Sequence, residues 1–252
     1  MKFYLNGPSK FDEIKLNIML IKSEFREQED LVPLIISDVD EIVDPIEYIA
    51  GLDISFVKDS NQAVASMVIF DYKTLEIVAK LSLNCVLNIA YIPGYLAFRE
   101  TPVFLKLIEI QKCHCPHLSP QVILIDGNGV WHPRRAGSAS HFGVLSGIPC
   151  FGVSKNVLYV DNITRESIQQ LLTEKANEKD QFVEVKDNHG NTLGLAYNVT
   201  GSVKSAVYIS VGHKITLATA CQIFQSVTKY RICEPIRQAD LLSRQIVDKI
   251  SK

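Results

Sequence analysis

Between Tyr48 and Asn88 the chain carries three β-rich runs in succession, IAGLDISFV, AVASMVIFDY and EIVAKLSLNCVL, with only KDSNQ and KTL between them. Breaks that short and polar suit antiparallel neighbours, so this stretch is expected to form a meander. Beyond it the element types alternate. Thr101 and Pro102 read as the N-cap and first turn of a helix on which Phe104, Leu107 and Ile108 recur at helical spacing, which places Glu100 at the helix entrance. Strand QVILID, a small-residue helix near GSASHFGVL, strand CFGVS, a helix around ITRESIQQLL, a hairpin over QFVEV and LGLAY, and strand AVYISV follow. Two helices, about 217–229 and 238–250, finish the chain, and an opening helix is expected over about residues 10–30.

Three antiparallel strands followed by helix, strand, helix and strand resemble the ribonuclease H-like architecture: α/β, with a mixed sheet flanked by helices. With 252 residues, 47% of them hydrophobic, and no linker, repeat or composition break, one domain over 1–252 is expected, its core about 48–250. The formal net charge of -2 excludes a globally basic nucleic-acid binder, so a polyanion would have to be held by a local patch or by bound metal. No long uninterrupted apolar stretch occurs, and MKFYLNGPSKFDE lacks the apolar block of a secretory signal. A soluble intracellular protein without membrane attachment is expected. The six cysteines lie mostly in hydrophobic segments, where a thiol acts as a small apolar filler, and no disulfide framework is expected.

Chemistry concentrates at the ends of the oily runs. Asp126 closes VILID ahead of Gly127 and Gly129, Glu100 closes YIPGYLAFRE, and Asp53 interrupts an apolar strand between Leu52 and Ile54. Alone, an acid at such a place is usually a solvated terminus, and Asp-Gly is also a common turn. Asp53 is the exception, because a mid-strand acid is disfavoured. Together the three would repel one another without a cation, whereas hard divalent ions want oxygen ligands of this kind and can drive phosphodiester hydrolysis. His132 and His213 could orient water, ligate metal or move a proton, and each alone reads equally as an ordinary hydrogen-bonded histidine. Lys155 could set a positive charge beside a phosphate or simply end a strand. Trp131 with Arg134 and Arg135 could stack on and grip nucleic acid, the plainer alternative being a core tryptophan with exposed arginines. Cys113-His114-Cys115-Pro116-His117 lacks the ligand spacing of zinc knuckles and reads as a connecting loop. The zinc deaminase signature does not occur.

Taken together, GLDIS, YIPGYLAFRE, LIDGNGVWHPRRAGSASHFGVLSGIPCFGVSK, SVGHKITL and EPIRQAD, running in order from Gly51 to about Arg244, resemble the endonuclease V family of inosine-directed nucleases. The resemblance implies that Asp53, Glu100 and Asp126 are metal-binding carboxylates with His213 beside them, that His132 and Lys155 are further active-site residues, and that Mg²⁺, or Mn²⁺, is the cofactor. It implies that Tyr91 is an aromatic wedge with Gly94 just beyond it, and that Leu96, Gly127, Gly129, Gly152 and Leu158 belong to a hypoxanthine pocket. Two positions depart from the family pattern: Ala90 stands where the wedge usually begins with proline, and Ser138 replaces an aliphatic pocket residue.

The implied activity is hydrolysis of a phosphodiester one nucleotide 3′ of inosine, leaving a 3′-hydroxyl and a 5′-phosphate. Single-stranded inosine-containing RNA or DNA is the expected partner, with RNA preferred by resemblance to animal-type members. The expected protein is a cytoplasmic monomer, with nucleus or nucleolus as further locations. The rivals are a non-cleaving reader of inosine-containing RNA, a deoxyinosine DNA repair endonuclease, and a ribonuclease H-like nuclease that ignores the base.

Overall fold

The structure is a computed structural model and describes residues 26–87, 89, 92 and 94–251. The expected opening helix falls mostly outside the described residues, which take up a helical turn at 26–31. One eight-stranded mixed sheet organises the rest, in spatial order β3-β2-β1-β4-β5-β8-β7-β6. Its strands are β1 (Tyr48–Phe56), β2 (Gln62–Asp71), β3 (Ile77–Val86), β4 (Val122–Asp126), β5 (Cys150–Ser154), β6 (Gln181–Lys186), β7 (Thr192–Asn198) and β8 (Val207–His213). The expected meander is β1 to β3, paired antiparallel throughout. β4 and β5 then add in parallel to β1, giving the ribonuclease H-like arrangement.

Among the described residues, besides the turn at 26–31, five helices flank the sheet: α1 (Leu96–His114), α2 (Ser138–Ser146), α3 (Arg165–Lys175), α4 (Leu217–Ser226) and α5 (Glu234–Ile250). Side chains alternate across a strand, so each central strand feeds two cores. Ala50, Leu52, Ile123 and Ile125 pack with Phe104, Leu107 and Phe142 on the face of α1 and α2. Ile49, Leu124, Phe151 and Val153 pack on the other face with Phe224 of α4 and Ile236 of α5. Gly51 lies on that second face, where a Cβ would stand 2.1 Å from the Pro235 carbonyl carbon. Its bare Cα lets α5 lie directly on β1.

Three boundaries differ from the sequence expectation. α1 begins at Leu96, one turn before the Thr101-Pro102 pair, with Pro102 inside the helix and Glu100 already helical. Leu, Ala and Arg favour helix, and Ala97 and Phe98 gain burial by joining it, so packing overrides the proline signal. α5 begins at Glu234 because Pro235 sits in its first turn, where a missing N–H costs nothing. Cys113 and His114 form the end of α1, and Cys115 is its C-cap, so that stretch is a helix terminus and not a loop. Among the described residues no helix is long and apolar enough to cross a membrane.

Candidate active site

Parallel pairing of β1 with β4 does the first work of assembly. Leu52 is in register with Ile125, so Asp53 and Asp126, the next residues on each strand, emerge side by side at the same end of the sheet. β5 runs parallel to β4 with Asp126 opposite Val153, and Lys155 lies just past the end of that strand. The Lys155 ammonium donates to Asp126 Oδ2 at 2.6 Å. Glu100 comes from the first turns of α1 and is buried, accepting a long 3.5 Å hydrogen bond from Ser138 Oγ. Asp53 is buried as well, and Ser243 of α5 donates to its Oδ2 at 2.9 Å.

The acids are electrically coupled. Burial, then the charge of Asp126, raises the Asp53 carboxyl to about 6, against a relieving hydrogen bond from Ser243. Burial, then Asp53 and Asp126, raises Glu100 to about 8. For Lys155 burial opposes the charge, but Asp126, with help from Asp240 and Asp53, outweighs it and holds the ammonium above the usual lysine range. An all-oxygen, mutually repelling set suits a hard divalent cation such as Mg²⁺ or Mn²⁺. Each acid is meanwhile turned toward its own donor, Ser243, Ser138 or Lys155, and no three His, Cys, Asp or Glu side chains among the described residues close around a common point.

Two hollows meet at this cluster. A cleft of about 630 Å³ is lined by Asp53, Asp126, Lys155, Asp240 and Arg244, among others. A cavity of about 400 Å³, the size class of small-molecule sites, is walled by Leu96, Gly127, Ser138, Asn156 and Leu158, among others. Asp126 and Lys155 belong to both. Asp240 was missed by sequence reasoning although its motif, EPIRQAD, was in view. Its spacing gains meaning only once α5 is docked: Asp240 and Ser243, three apart on α5, share the helix face turned to β1. Asn128, Asn156 and Gln28, further lining residues, gave no local signal at all.

The structure corrects several expected site residues. His213 does not join the carboxylates. β8 runs antiparallel to β5 and pairs His213 with Cys150 at the start of β5, while Asp126 sits opposite Val153 near its end. That offset is about 10 Å along the strands at ~3.3 Å per residue. There the His213 Nδ1 accepts from the Ile36 N–H at 3.2 Å, and burial, then Lys214, lowers its pKa. Gly129 and Gly152 are not among the residues that line the cavity. Cβ atoms there would meet the Val211 carbonyl oxygen at 1.8 Å and the Gly127 carbonyl oxygen at 2.4 Å, so both serve backbone packing. Trp131 is a core residue, edge-on to Tyr208, and Arg135 pairs with Asp187. Tyr91 lies outside the described residues.

His132 does face the cavity, with both ring nitrogens engaged. Nδ1 accepts from the Arg134 N–H at 3.2 Å, so Nε2 carries the proton and donates to the Gly94 carbonyl at 3.0 Å. Burial, then Arg134, lowers its pKa to about 4, which keeps the ring neutral near pH 7. It braces the turn at Gly94.

Known proteins align with this arrangement. The family model described as Endonuclease V matches residues 33–241. The chain belongs to the endonuclease V family. It is 38% identical over 205 residues to the human Endonuclease V, covering 81% of this chain and 73% of that protein. The catalytic domain of human Endonuclease V has a similar fold, with a TM-score of 0.85 at 34% identity over 92% of this chain and 97% of that one. Endonuclease V of Ciona intestinalis, solved with a 23mer DNA containing an inosine followed by a ribo-adenosine, superposes with a TM-score of 0.84 at 33% identity, over 92% and 98% of the two chains. Membership of this family makes the chain a nuclease.

Proposed function

We propose that the protein is a Mg²⁺- or Mn²⁺-dependent endonuclease that reads inosine in the cavity and hydrolyses the phosphodiester one nucleotide to its 3′ side, leaving a 3′-hydroxyl and a 5′-phosphate, with RNA the preferred strand. One observation carries the reading: the base-sized cavity and the acidic cleft share Asp126 and Lys155, so a base held in one sets its neighbouring phosphate over the other. The Ciona relative's inosine-containing ligand supports the choice of base.

Asp53, Glu100 and Asp126 would hold the cation, with Asp240 as a fourth acid on the cleft wall. A divalent ion there supplies charge relief on the phosphoryl oxygens and makes water a stronger nucleophile at neutral pH. The remaining duties fall to the protein. The Lys155 ammonium, held charged by Asp126, offers donors to a phosphate oxygen. Gly127 and Ser138 shape the cavity wall, and Ser138 also ties that wall to Glu100.

The deciding experiment uses four end-labelled strands, ribose or deoxyribose, with inosine or adenosine at one position, incubated with Mg²⁺ or with EDTA. Cutting confined to inosine strands with Mg²⁺, faster on ribose, is the expected outcome. Equal cutting of adenosine strands would favour a shape-reading nuclease. Tight binding without cutting would favour an inosine reader, and faster cutting of deoxyribose a DNA repair role.

A further inference from the structure

Gln28 stands apart from every residue assigned above: a fully buried amide, on the helical turn at 26–31, that reaches across the chain to the cavity. Its Nε2 donates to the Gly94 carbonyl at 3.3 Å and to the Ala136 carbonyl at 3.0 Å, and its Oε1 accepts from Arg134 Nε. Burying an amide is costly unless its groups are paired, and here both donors and the acceptor are used. The network also fixes the amide's orientation, because a flipped amide would point its oxygen at two carbonyl oxygens.

The partners are the two segments that wall the cavity. The Gly94 carbonyl takes three donors, from Gln28, from His132 Nε2 at 3.0 Å and from Arg134 Nη2 at 2.5 Å. Gly94 holds a φ of +80°, a left-handed turn that a bare backbone must be kept in. The Arg134 guanidinium lies 4.1 Å from the centre of the Tyr95 ring, pressing the next residue as well. Leu96 and Ala97, which line the cavity, follow directly. Ala136 precedes Gly137 and Ser138, which line it from the α2 side. One amide thus ties the two wall segments to each other.

We infer that Gln28 is a positioning residue of the base cavity: it locks the Gly94 turn to the segment before α2 and thereby fixes the gap into which the base fits. The inference rests on the proposed function for what enters the gap, and on the hydrogen bonds alone for the locking.

Two variants separate these. Gln28→Met keeps length and removes every polar atom, and Gln28→Glu keeps the acceptor for Arg134 while removing both donors. In both, the amides of Gly94 to Ala97 should exchange with solvent deuterium faster than in the unsubstituted protein, with the β4 amides unchanged. Both should raise KM for the inosine strand roughly tenfold or more while kcat and the half-saturating Mg²⁺ concentration move less. A purely structural role would lower Tm and leave KM intact well below it. Unaltered exchange and KM in a folded Gln28→Glu or Gln28→Met protein overturn the inference. If the unsubstituted protein does not cut inosine strands, the proposed function fails, and the exchange result still decides the locking.

Discussion

Each buried acid is a separate problem in charge, and each has a separate readout. Glu100 has an ordinary pKa of 4.5 and is raised to about 8. Between those values the metal-free folded protein keeps a proton that the unfolded chain has released, so stability falls as pH rises through the window. Asp53, raised from 3.8 to about 6, acts in the same direction at lower pH. Buried His132 and His141, each lowered from 6.5 to about 4, act the other way below pH 6.5, so the Tm of EDTA-treated protein is expected to decline between about pH 6.5 and pH 8, with Glu100→Gln flattening the decline and Mg²⁺ opposing it. A pH-independent Tm in the unsubstituted protein would show that Glu100 is not under this strain. Asp53→Ala should cut strand scission by about 100-fold or more while the strand Kd, read by fluorescence anisotropy, stays within a few-fold. Scission at the unsubstituted rate would remove Asp53 from the chemistry. Asp53 was legible because an acid inside an apolar strand contradicts its surroundings. Asp240 was not, because an acid on an amphipathic helix resembles any solvated one until the helix is docked.

At the level of elements, the contact of α5 with β1 is what brings Ser243 and Asp240 to the acids. Gly51→Ala would drive a methyl group into the Pro235 backbone, so α5 must shift or the strand must bend. A loss of about 1–3 kcal/mol in urea unfolding is expected, along with reduced cleavage. The cap of α3 provides a contrast. Thr164 accepts from the Ser167 N–H at 3.1 Å, and Ser167 Oγ accepts from the Thr164 N–H at 2.9 Å. Thr164→Ala should lose about 1 kcal/mol of stability with cleavage unchanged, because α3 packs against the β6–β7 end of the sheet. Strands β1 to β3 could be read from residue types alone, since alternation is local. The start of α1 could not, because burial of Ala97 and Phe98 extends the helix back past the start signal that Thr101 and Pro102 provide.

For the whole molecule, strand direction decides what can meet. Parallel β1, β4 and β5 deliver their C-terminal ends to one edge, and antiparallel β8 delivers its own to the other. His213 there joins a different structure. The segment before β1 crosses the end of β8, with Lys214 N–H donating to the Ile36 carbonyl at 2.7 Å, Glu41 N–H to the Lys214 carbonyl at 3.1 Å, and Thr216 N–H to Asp40 Oδ1 at 2.6 Å. His213→Ala should consequently lower Tm by loosening this strap and leave the half-saturating Mg²⁺ concentration for cleavage where it was. A large rise in that concentration would return His213 to the metal site.

The amino-acid sequence alone determined the strand runs, the family and the three acids of the cluster, because alternation and a charged residue in an oily segment are written in neighbouring positions and the family's motifs follow one another in order along the chain. Pairing direction, the docking of α5 on Gly51 and the reach of Gln28 to Gly94 were decided only in three dimensions. The reach of Gln28 to Gly94 spans 66 positions, and the contact of α5 with β1 at Ser243 and Asp53 spans 190. Separations of that length carry no local pattern, and only the packed sheet, by fixing which strand ends share an edge, assigns Asp240 to the site and His213 away from it.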